Sequence, residues 1–173
     1  RVAPRCTYEW SFTTSADPER DPTRCITVAD CIASCPDPDL APLQACVNNT
    51  CRPLVHDFGP SDGAPGTWVT VAGCHFGTKS GVVTFRGGPG VADDRAGIAL
   101  DAKRCGPTWT NSQIIIEVPK VTTRSADDDA RTGGIKVVTT RGLEATHLDP
   151  TAIYTVNDRI KPGICRLDPR FGK

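Results

Sequence analysis

The stretch GTWVTVAGCHFG, residues 66–77, decides the fold of this chain. Its apolar side chains alternate, so that Val69 and Val71 fall on one face of an extended segment. Gly73 and Gly77 bracket the point where the chain leaves that segment, and we expect backbone with positive φ there. The stretch therefore predicts a β-strand that ends in a sharp turn.

The same alternation recurs from Pro53 onward, and turn sequences such as GTKSG and DDDARTGG separate the apolar runs. Six or seven short strands in about 105 residues are typical of an antiparallel sandwich. The fold class predicted is therefore all-β. The side chains predicted to face the core are Val69, Val71, Val83, Phe85, Ile114, Ile116, Val118, Ile135, Val137, Tyr154 and Val156.

Composition indicates an exported protein with no bias toward nucleic acid or an anionic membrane. Twenty basic residues balance twenty acidic ones among 173, so no net field favours nucleic acid or an anionic membrane. No apolar run approaches the roughly 20 residues that span a bilayer. No signal peptide begins at Arg1, so export would require one that is removed or lies upstream. We expect a secreted, extracellular or cell-surface location.

Nine cysteines, with no methionine, favour disulfides. Their spacing is irregular and contains no C-x-x-C pair of the kind that binds zinc, so we expect no metal or cofactor. The cysteines are Cys6, Cys25, Cys31, Cys35, Cys46, Cys51, Cys74, Cys105 and Cys165.

The N-terminal third differs from the rest. Residues 1–14 contain an alternating stretch, CTYEWSFTT, with Tyr8, Trp10 and Phe12 on one face. Residues 15–52 form a polar linker followed by a cysteine-rich module. Short helical turns are expected there in ITVADCIASC and PDLAPLQAC. With few apolar residues to build a core, this module needs disulfide staples to hold a shape, and the pairing of its cysteines stays open.

Residues 53–158 resemble an IPT/TIG domain, an immunoglobulin-like module of many cell-surface proteins. The matching motifs, in the order in which that family has them, are PLVHDFGPSDG, GTWVTVAGCHFG, GVVTFRGG, WTNSQIIIEVP, GGIKVVTTRG and AIYTV. The resemblance covers about 105 residues and implies an immunoglobulin-like sandwich. It implies no enzymatic activity.

Cys74 and Cys105 lie at the end of one predicted strand and just before another, and we predict that they pair. Such a bridge closes a loop of about 31 residues and contributes roughly 3 to 4 kcal/mol, although the family does not require it. If the six cysteines from Cys6 to Cys51 then pair among themselves, Cys165 is left for another domain or chain. Alternatively, an N-terminal cysteine pairs with Cys165 and another stays free.

The last residues, 159–173, repeat the start of the sandwich. Pro162, Ile164 and Leu167 follow Pro53, Val55 and Phe58 at a constant separation of 109 residues. They resemble the first strand of a following IPT/TIG repeat, and residues 1–14 resemble the last strand of a preceding immunoglobulin-like domain. Two explanations stay open: a long array of repeats, which we favour, or a fibre of strand-exchanged subunits. The strand-exchange candidates are Tyr8, Trp10, Phe12, Ile164 and Leu167.

No catalytic constellation emerges. GCHFGTKS, residues 73–80, has Thr78 where a phosphate-binding loop needs glycine, and a strand follows instead of a helix. The three histidines are far apart, and a surface or strand-edge position is commoner for a histidine than a ligand role. The acidic runs at Asp93–Asp94 and Asp127–Asp129 lack calcium-loop spacing and are expected to be solvated turns. Asn48 begins a glycosylation sequon, NNT.

The function predicted is that of an extracellular structural or interaction protein, whose partners are neighbouring immunoglobulin-like domains or identical subunits. One alternative is an adhesin that binds carbohydrate or a surface receptor, which an exposed aromatic patch around Trp68 or Trp109 would favour. Another is an accessory domain of a secreted enzyme. A DNA-binding role fits neither the neutral charge nor the cysteines.

Overall fold

A computed structural model of the protein describes residues 21–86, 95–99, 107–119 and 132–162. These residues form one short α-helix, one 3₁₀ turn and twelve strands. The elements are α1 (Val28–Ser34), the 3₁₀ turn (Ala41–Leu43), β1 (Cys46–Val47), β2 (Thr50–Cys51), β3 (Leu54–Gly59), β4 (Asp62–Gly63), β5 (Trp68–Cys74), β6 (Val82–Phe85), β7 (Arg95–Ala96), β8 (Ile98–Ala99), β9 (Gln113–Glu117), β10 (Ile135–Val138), β11 (Glu144–Thr146) and β12 (Thr155–Val156). None of the described helices is long or apolar enough to span a bilayer.

Two four-stranded sheets carry the fold, in the orders β3-β5-β9-β8 and β11-β10-β6-β7. The strand of the deciding stretch, β5, lies inside the first sheet, where Val69 and Val71 pair with Ile116 and Ile114 of β9. In the second sheet Val83 of β6 pairs with Val137 of β10. Because alternate side chains of each strand point the same way, these pairs give each sheet one apolar face.

The two apolar faces enclose a single core. Its buried members from β5, β6, β9 and β10 are the predicted ones, and Tyr154 is fully buried with its ring 5.5 Å from that of Phe85. Val156 is half-buried and packs against the same cluster. The prediction of a mostly β protein with these inward faces is confirmed. Ile115 is buried as well, although the alternation places it on the opposite face of β9.

The free edges of the two sheets meet. β7 and β8 run consecutively from one sheet to the other through Gly97, whose N–H donates to the Val83 carbonyl at 2.7 Å. On the other side, Val55 of β3 bridges to His147, and Leu148 N–H donates to the Val55 carbonyl at 3.0 Å. On the β3 side the two sheets are therefore hydrogen-bonded to each other, and on the other side the chain itself crosses from β7 to β8.

The sequence predicted antiparallel pairing throughout, and one pair of strands in the structure differs from this prediction. β12 pairs in parallel with β4, with Thr155 opposite Asp62 and Val156 opposite Gly63. The segment after β11 already runs parallel to β3 where Val55 bridges to His147, and the pairing of β12 with β4 further along the same two segments is parallel as well. A Thr155 N–H bond to the Ser61 carbonyl at 2.9 Å extends this ladder.

Residues 21–52, the N-terminal module, are held by a hairpin, a helix and disulfides. Asn48 and Asn49 both have positive φ between β1 and β2, the requirement of the tightest hairpin turn. At the start of α1, the Asp30 carboxylate accepts hydrogen bonds from the N–H groups of Ile26 and Thr27, both at 2.8 Å. The helical turns predicted in this module are confirmed.

Gly73 and Gly77 work for different reasons, and the expectation of positive φ holds only for Gly77, whose φ is +79°. Gly73 is needed because the backbone of a neighbouring strand passes too close. A Cβ at Gly73 would overlap the Leu54 carbonyl oxygen and the Phe76 ring.

We therefore expect Gly73→Ala to lower the free energy of unfolding by about 2 kcal/mol, the usual cost of overpacking a core. Gly134→Ala is the matched control, because a Cβ there meets nothing within 4 Å. Urea unfolding of both variants measures the difference. Equal stabilities would mean that β3 and β5 can separate at no cost.

Candidate functional site

The N-terminal module joins the sandwich along a seam, where a disulfide and several side-chain hydrogen bonds connect the two parts. At its centre lies a disulfide between Cys35, at the end of α1, and Cys74, at the end of β5, with Cα atoms 5.9 Å apart. Both cysteines are buried in a small apolar cluster with Leu40 and Leu54. The module is therefore bonded to the sandwich as well as preceding it.

This disulfide corrects the sequence prediction, which paired Cys74 with Cys105. That prediction was wrong because the cysteine-rich module packs against the end of β5 and brings Cys35 to Cys74 along this seam. It also means that the six cysteines from Cys6 to Cys51 do not pair only among themselves. Cys6, Cys105 and Cys165 lie outside the described residues.

Two further disulfides lie inside the module and settle pairings that the sequence left open. Cys25 pairs with Cys46, with Cα atoms 6.0 Å apart, and Cys31 pairs with Cys51, with Cα atoms 5.5 Å apart. The sulfur atoms of Cys25, Cys31 and Cys51 lie within 4.8 Å of one another. They are close because the two disulfides pack side by side, and in this form each sulfur is already bonded to another.

The Cys35–Cys74 disulfide is called the clamp. His75 follows Cys74 and faces into the seam. It is 1% exposed and has a φ of +62°, which aims its ring at the module. Its Nε2–H donates a short hydrogen bond to the side-chain oxygen of Gln44, and the Ser34 hydroxyl lies 3.4 Å from Nδ1. Burial lowers the pKa of His75 to about 4, so the imidazole is neutral at physiological pH. A surface position, the commoner one for histidine, does not apply to this residue.

Two more polar side chains cross the seam. Asn111 donates from Nδ2 to the Ser34 carbonyl at 3.3 Å and accepts from the N–H of Gly77 at 3.2 Å. Arg141, in the turn between β10 and β11, donates to the Thr50 hydroxyl at 3.0 Å and to the Asp21 carboxylate. The pKa of Asp21 is lowered by hydrogen bonds from Thr23 and Arg141, which outweigh the opposing effect of burial.

Two clefts open along the outer side of the seam. The first, of about 420 Å³, lies between residues 21–23 of the module and the turns at 75–79 and 139–143. The second, of about 630 Å³, is lined by Arg24, Ile26 and the Asn48–Asn49 hairpin tip. Asp21 and Arg141 line both clefts, so their ion pair separates the two clefts. The lining of the two clefts thus contains hydroxyl, amide and cationic groups that can form hydrogen bonds with a polar ligand.

The remaining predicted residues are scattered. Asn48 is exposed at the hairpin tip, at the edge of the second cleft. Trp109 packs against the core with its Nε1–H donating to the Phe76 carbonyl at 3.1 Å, so it contributes to the core. Trp68 is half-buried on β5. Several predicted residues lie outside the described part of the chain: Tyr8, Trp10, Phe12, Asp93, Asp94, Asp127, Asp128, Asp129, Ile164 and Leu167.

The sequence did not single out Asp21, Gln44, Asn111 or Arg141. Each lies in a turn or loop, where its side-chain type is common, and 120 residues separate Asp21 from Arg141. Only the docking of the module brings these residues together.

No protein-family model matches the chain, and no curated protein sequence matches it. Solved structures resemble part of it. The Gamma-CGTase of an alkalophilic Bacillus clarkii is 23% identical over 61% of this chain and 12% of that chain, with a TM-score of 0.42. A protein of unknown function from Bacteroides thetaiotaomicron is 20% identical over 61% of this chain and 22% of that chain, with a TM-score of 0.44. A crystal structure with xylogluco-oligosaccharide is 20% identical over 65% of this chain and 20% of that chain, with a TM-score of 0.38.

The chain thus spans less than a quarter of the length of these structures. Similarities at this level assign neither a fold family nor an activity.

Proposed function

We propose that this chain is one link of an extracellular array of immunoglobulin-like domains of the IPT/TIG kind, with a structural role. One observation carries the proposal: the described chain comes in at one end of the sandwich and leaves at the opposite end. β5 runs between these ends, from Trp68 to Cys74, a distance of about 20 Å at the rise of a strand. The Cys74 end, called the module pole, holds residues 21–52, and the Thr67 end is called the exit pole.

The exit pole holds the outgoing chain in a fixed direction. The Lys161 ammonium pairs with the Asp62 carboxylate, and Asn157 donates to the same carboxylate at 2.8 Å. The hydrogen bond from Lys161 has the larger effect and that from Asn157 the next, and together they lower the pKa of Asp62. The Ala64 N–H also donates to the Arg159 carbonyl at 2.9 Å. These contacts fix the direction in which residues 157–162 leave the sandwich.

The module pole is tied in an equivalent manner. Asp21 is held by Arg141, and the Thr23 carbonyl accepts from the Cys51 N–H at 2.8 Å. The Cys35–Cys74 disulfide then adds a covalent tie between module and sandwich. Opposite poles that are both anchored favour end-to-end linkage, the geometry of a linear array.

Two further observations support this reading over its rivals. The β3 edge bridges to the segment that follows β11, at Val55 and His147, and covering this edge favours an array of closed domains over a fibre of exchanged strands. Three disulfides support an oxidising, extracellular location. The IPT/TIG assignment rests on the order of the sequence motifs together with the inward faces of their strands.

Native material, extracted without reductant, tests the proposal. We expect electron microscopy to show a linear string of domains whose spacing along the string is constant. A compact, isolated particle would overturn the array. A polymer of this 18.5 kDa chain alone, dissociated by denaturant but not by reductant, would instead favour strand exchange.

A further inference from the structure

The two clefts along the seam share a wall and together form one groove, called the seam groove. Its module side is formed by Arg24, Asn48 and Asn49, and its sandwich side by Lys79, Thr140 and Arg141. The groove is independent of how the chain is linked to its neighbours, because every one of these residues belongs to the described unit.

Positive charge is concentrated in the groove although the chain as a whole is neutral. Arg24, Lys79 and Arg141 line it, against the single carboxylate of Asp21. Arg141 neutralises Asp21, which leaves Arg24 in one cleft and Lys79 in the other. Both are exposed, and neither has an ion-pair partner among the residues that the structure describes. The groove therefore presents two separated cations, one on each side of the Asp21–Arg141 ion pair.

Around these cations the lining is rich in groups that both donate and accept hydrogen bonds. Of the five threonines in the lining, Thr78 and Thr140 are exposed, whereas the other three are buried with their hydroxyls bonded within the protein, and two asparagine amides stand at the hairpin tip. The threonines are Thr23, Thr50, Thr78, Thr139 and Thr140. Sugar hydroxyls are donors and acceptors in the same way, so this lining complements a polyhydroxylated chain.

We propose that the seam groove binds an acidic oligosaccharide, with Arg24 and Lys79 pairing with two of its anionic groups. Asn48, Asn49 and Thr140 then bond to hydroxyls of the intervening sugars. Carboxylates of uronic acids and sulfate esters offer the same charge, and the probes described below distinguish them.

Other polyanions fit the groove less well. A peptide is commonly held by addition to a free strand edge, whereas the seam groove is lined mainly by turns and loops. A single-stranded nucleic acid is held by base stacking on exposed aromatic rings. Among the lining residues the aromatic groups are Phe76, which is fully buried, and the imidazole of His75, which faces Gln44.

Calorimetric titration of the oxidised chain tests this proposal with four hexameric probes: a heparin-derived sulfated oligosaccharide, oligogalacturonate, a neutral oligosaccharide and hexaglutamate. We expect binding of at least one acidic sugar and weaker or no binding of the neutral sugar and the peptide. Lys79→Gln and Arg24→Gln are each expected to weaken binding by about twofold to fivefold, the range that one exposed ion pair contributes. Each variant should also reduce the salt dependence of binding.

Arg159→Gln is the matched control, since it removes the same charge from an exposed site at the exit pole. It should bind like the unmodified chain, and thermal unfolding checks that all variants remain folded. The proposal is overturned if neither acidic sugar binds, if the neutral sugar or the peptide binds as tightly, or if Arg159→Gln weakens binding as much as Lys79→Gln. Loss of the linear array in native material would leave this result unaffected.

Discussion

Replacing both Cys35 and Cys74 with alanine should lower the free energy of unfolding by about 4 kcal/mol. The bond closes a loop of 39 residues, and the loss of that closure enlarges the conformational freedom of the unfolded chain by about this amount. Both sulfurs are buried beside Leu40 and Leu54, so the substitution also leaves a small cavity at the seam. Urea unfolding followed by tryptophan fluorescence measures the change.

The control for this prediction is Cys25→Ala with Cys46→Ala, which opens a disulfide contained within the module. Hydrogen exchange separates the two cases. Opening the inner disulfide should expose amides of residues 21–52 while the core strands β5 and β9 stay protected. Opening the clamp should lower protection in both parts. If the clamp variant unfolds at the same urea concentration as the unmodified chain, then the module does not stabilise the sandwich.

The strands of the sandwich were predictable because their signal is local. In β5, β6, β9 and β10 the core-facing apolar residues are separated from one another by one residue, and this spacing predicts which side chains share a face. Val71 and Ile114, which pair across β5 and β9, were both assigned to the core before any partner was known. Tyr154 was assigned in the same way, although the strand beside it has only two residues.

The seam was not predictable, because its contacts depend on how two segments dock. Cys74 has nothing in its own neighbourhood that distinguishes Cys35 from Cys105 as its partner. The position of Cys105 just before a predicted strand favoured it as the partner, whereas the packing of Leu40 against Leu54 brings Cys35 to the site. Likewise, His75 is a polar residue after a strand, a position that is usually exposed, and only the module covers it.

Lowering the pH from 6.5 to 4 should remove about 3 kcal/mol of stability through His75 alone. The folded chain holds the imidazole neutral with a pKa of about 4, whereas the unfolded chain restores the ordinary value of 6.5. Between these two values the unfolded state binds one proton more than the folded state. Stability is therefore complete above pH 6.5 and falls by about 1.4 kcal/mol per pH unit until about pH 4.

Acidic groups contribute in a different window. The pKa values of Asp21, Asp62 and Asp149 are lowered from 3.8 in the folded chain. The stability that these carboxylates provide is complete above their unfolded pKa and is lost as the pH falls below it. A slope measured between pH 6.5 and 5 thus reports on the seam with little contribution from these three residues.

Urea unfolding of His75→Asn across that range isolates the effect. Asparagine tolerates the positive φ of this position and carries no titrating group, so the slope should flatten even though the variant is less stable at every pH. His147→Asn, which removes a half-buried histidine that packs against Phe58 away from the seam, should retain the slope. A slope that survives in His75→Asn would mean that the imidazole is hydrated in solution. The module would then dock through its disulfide and apolar contacts without excluding water from His75.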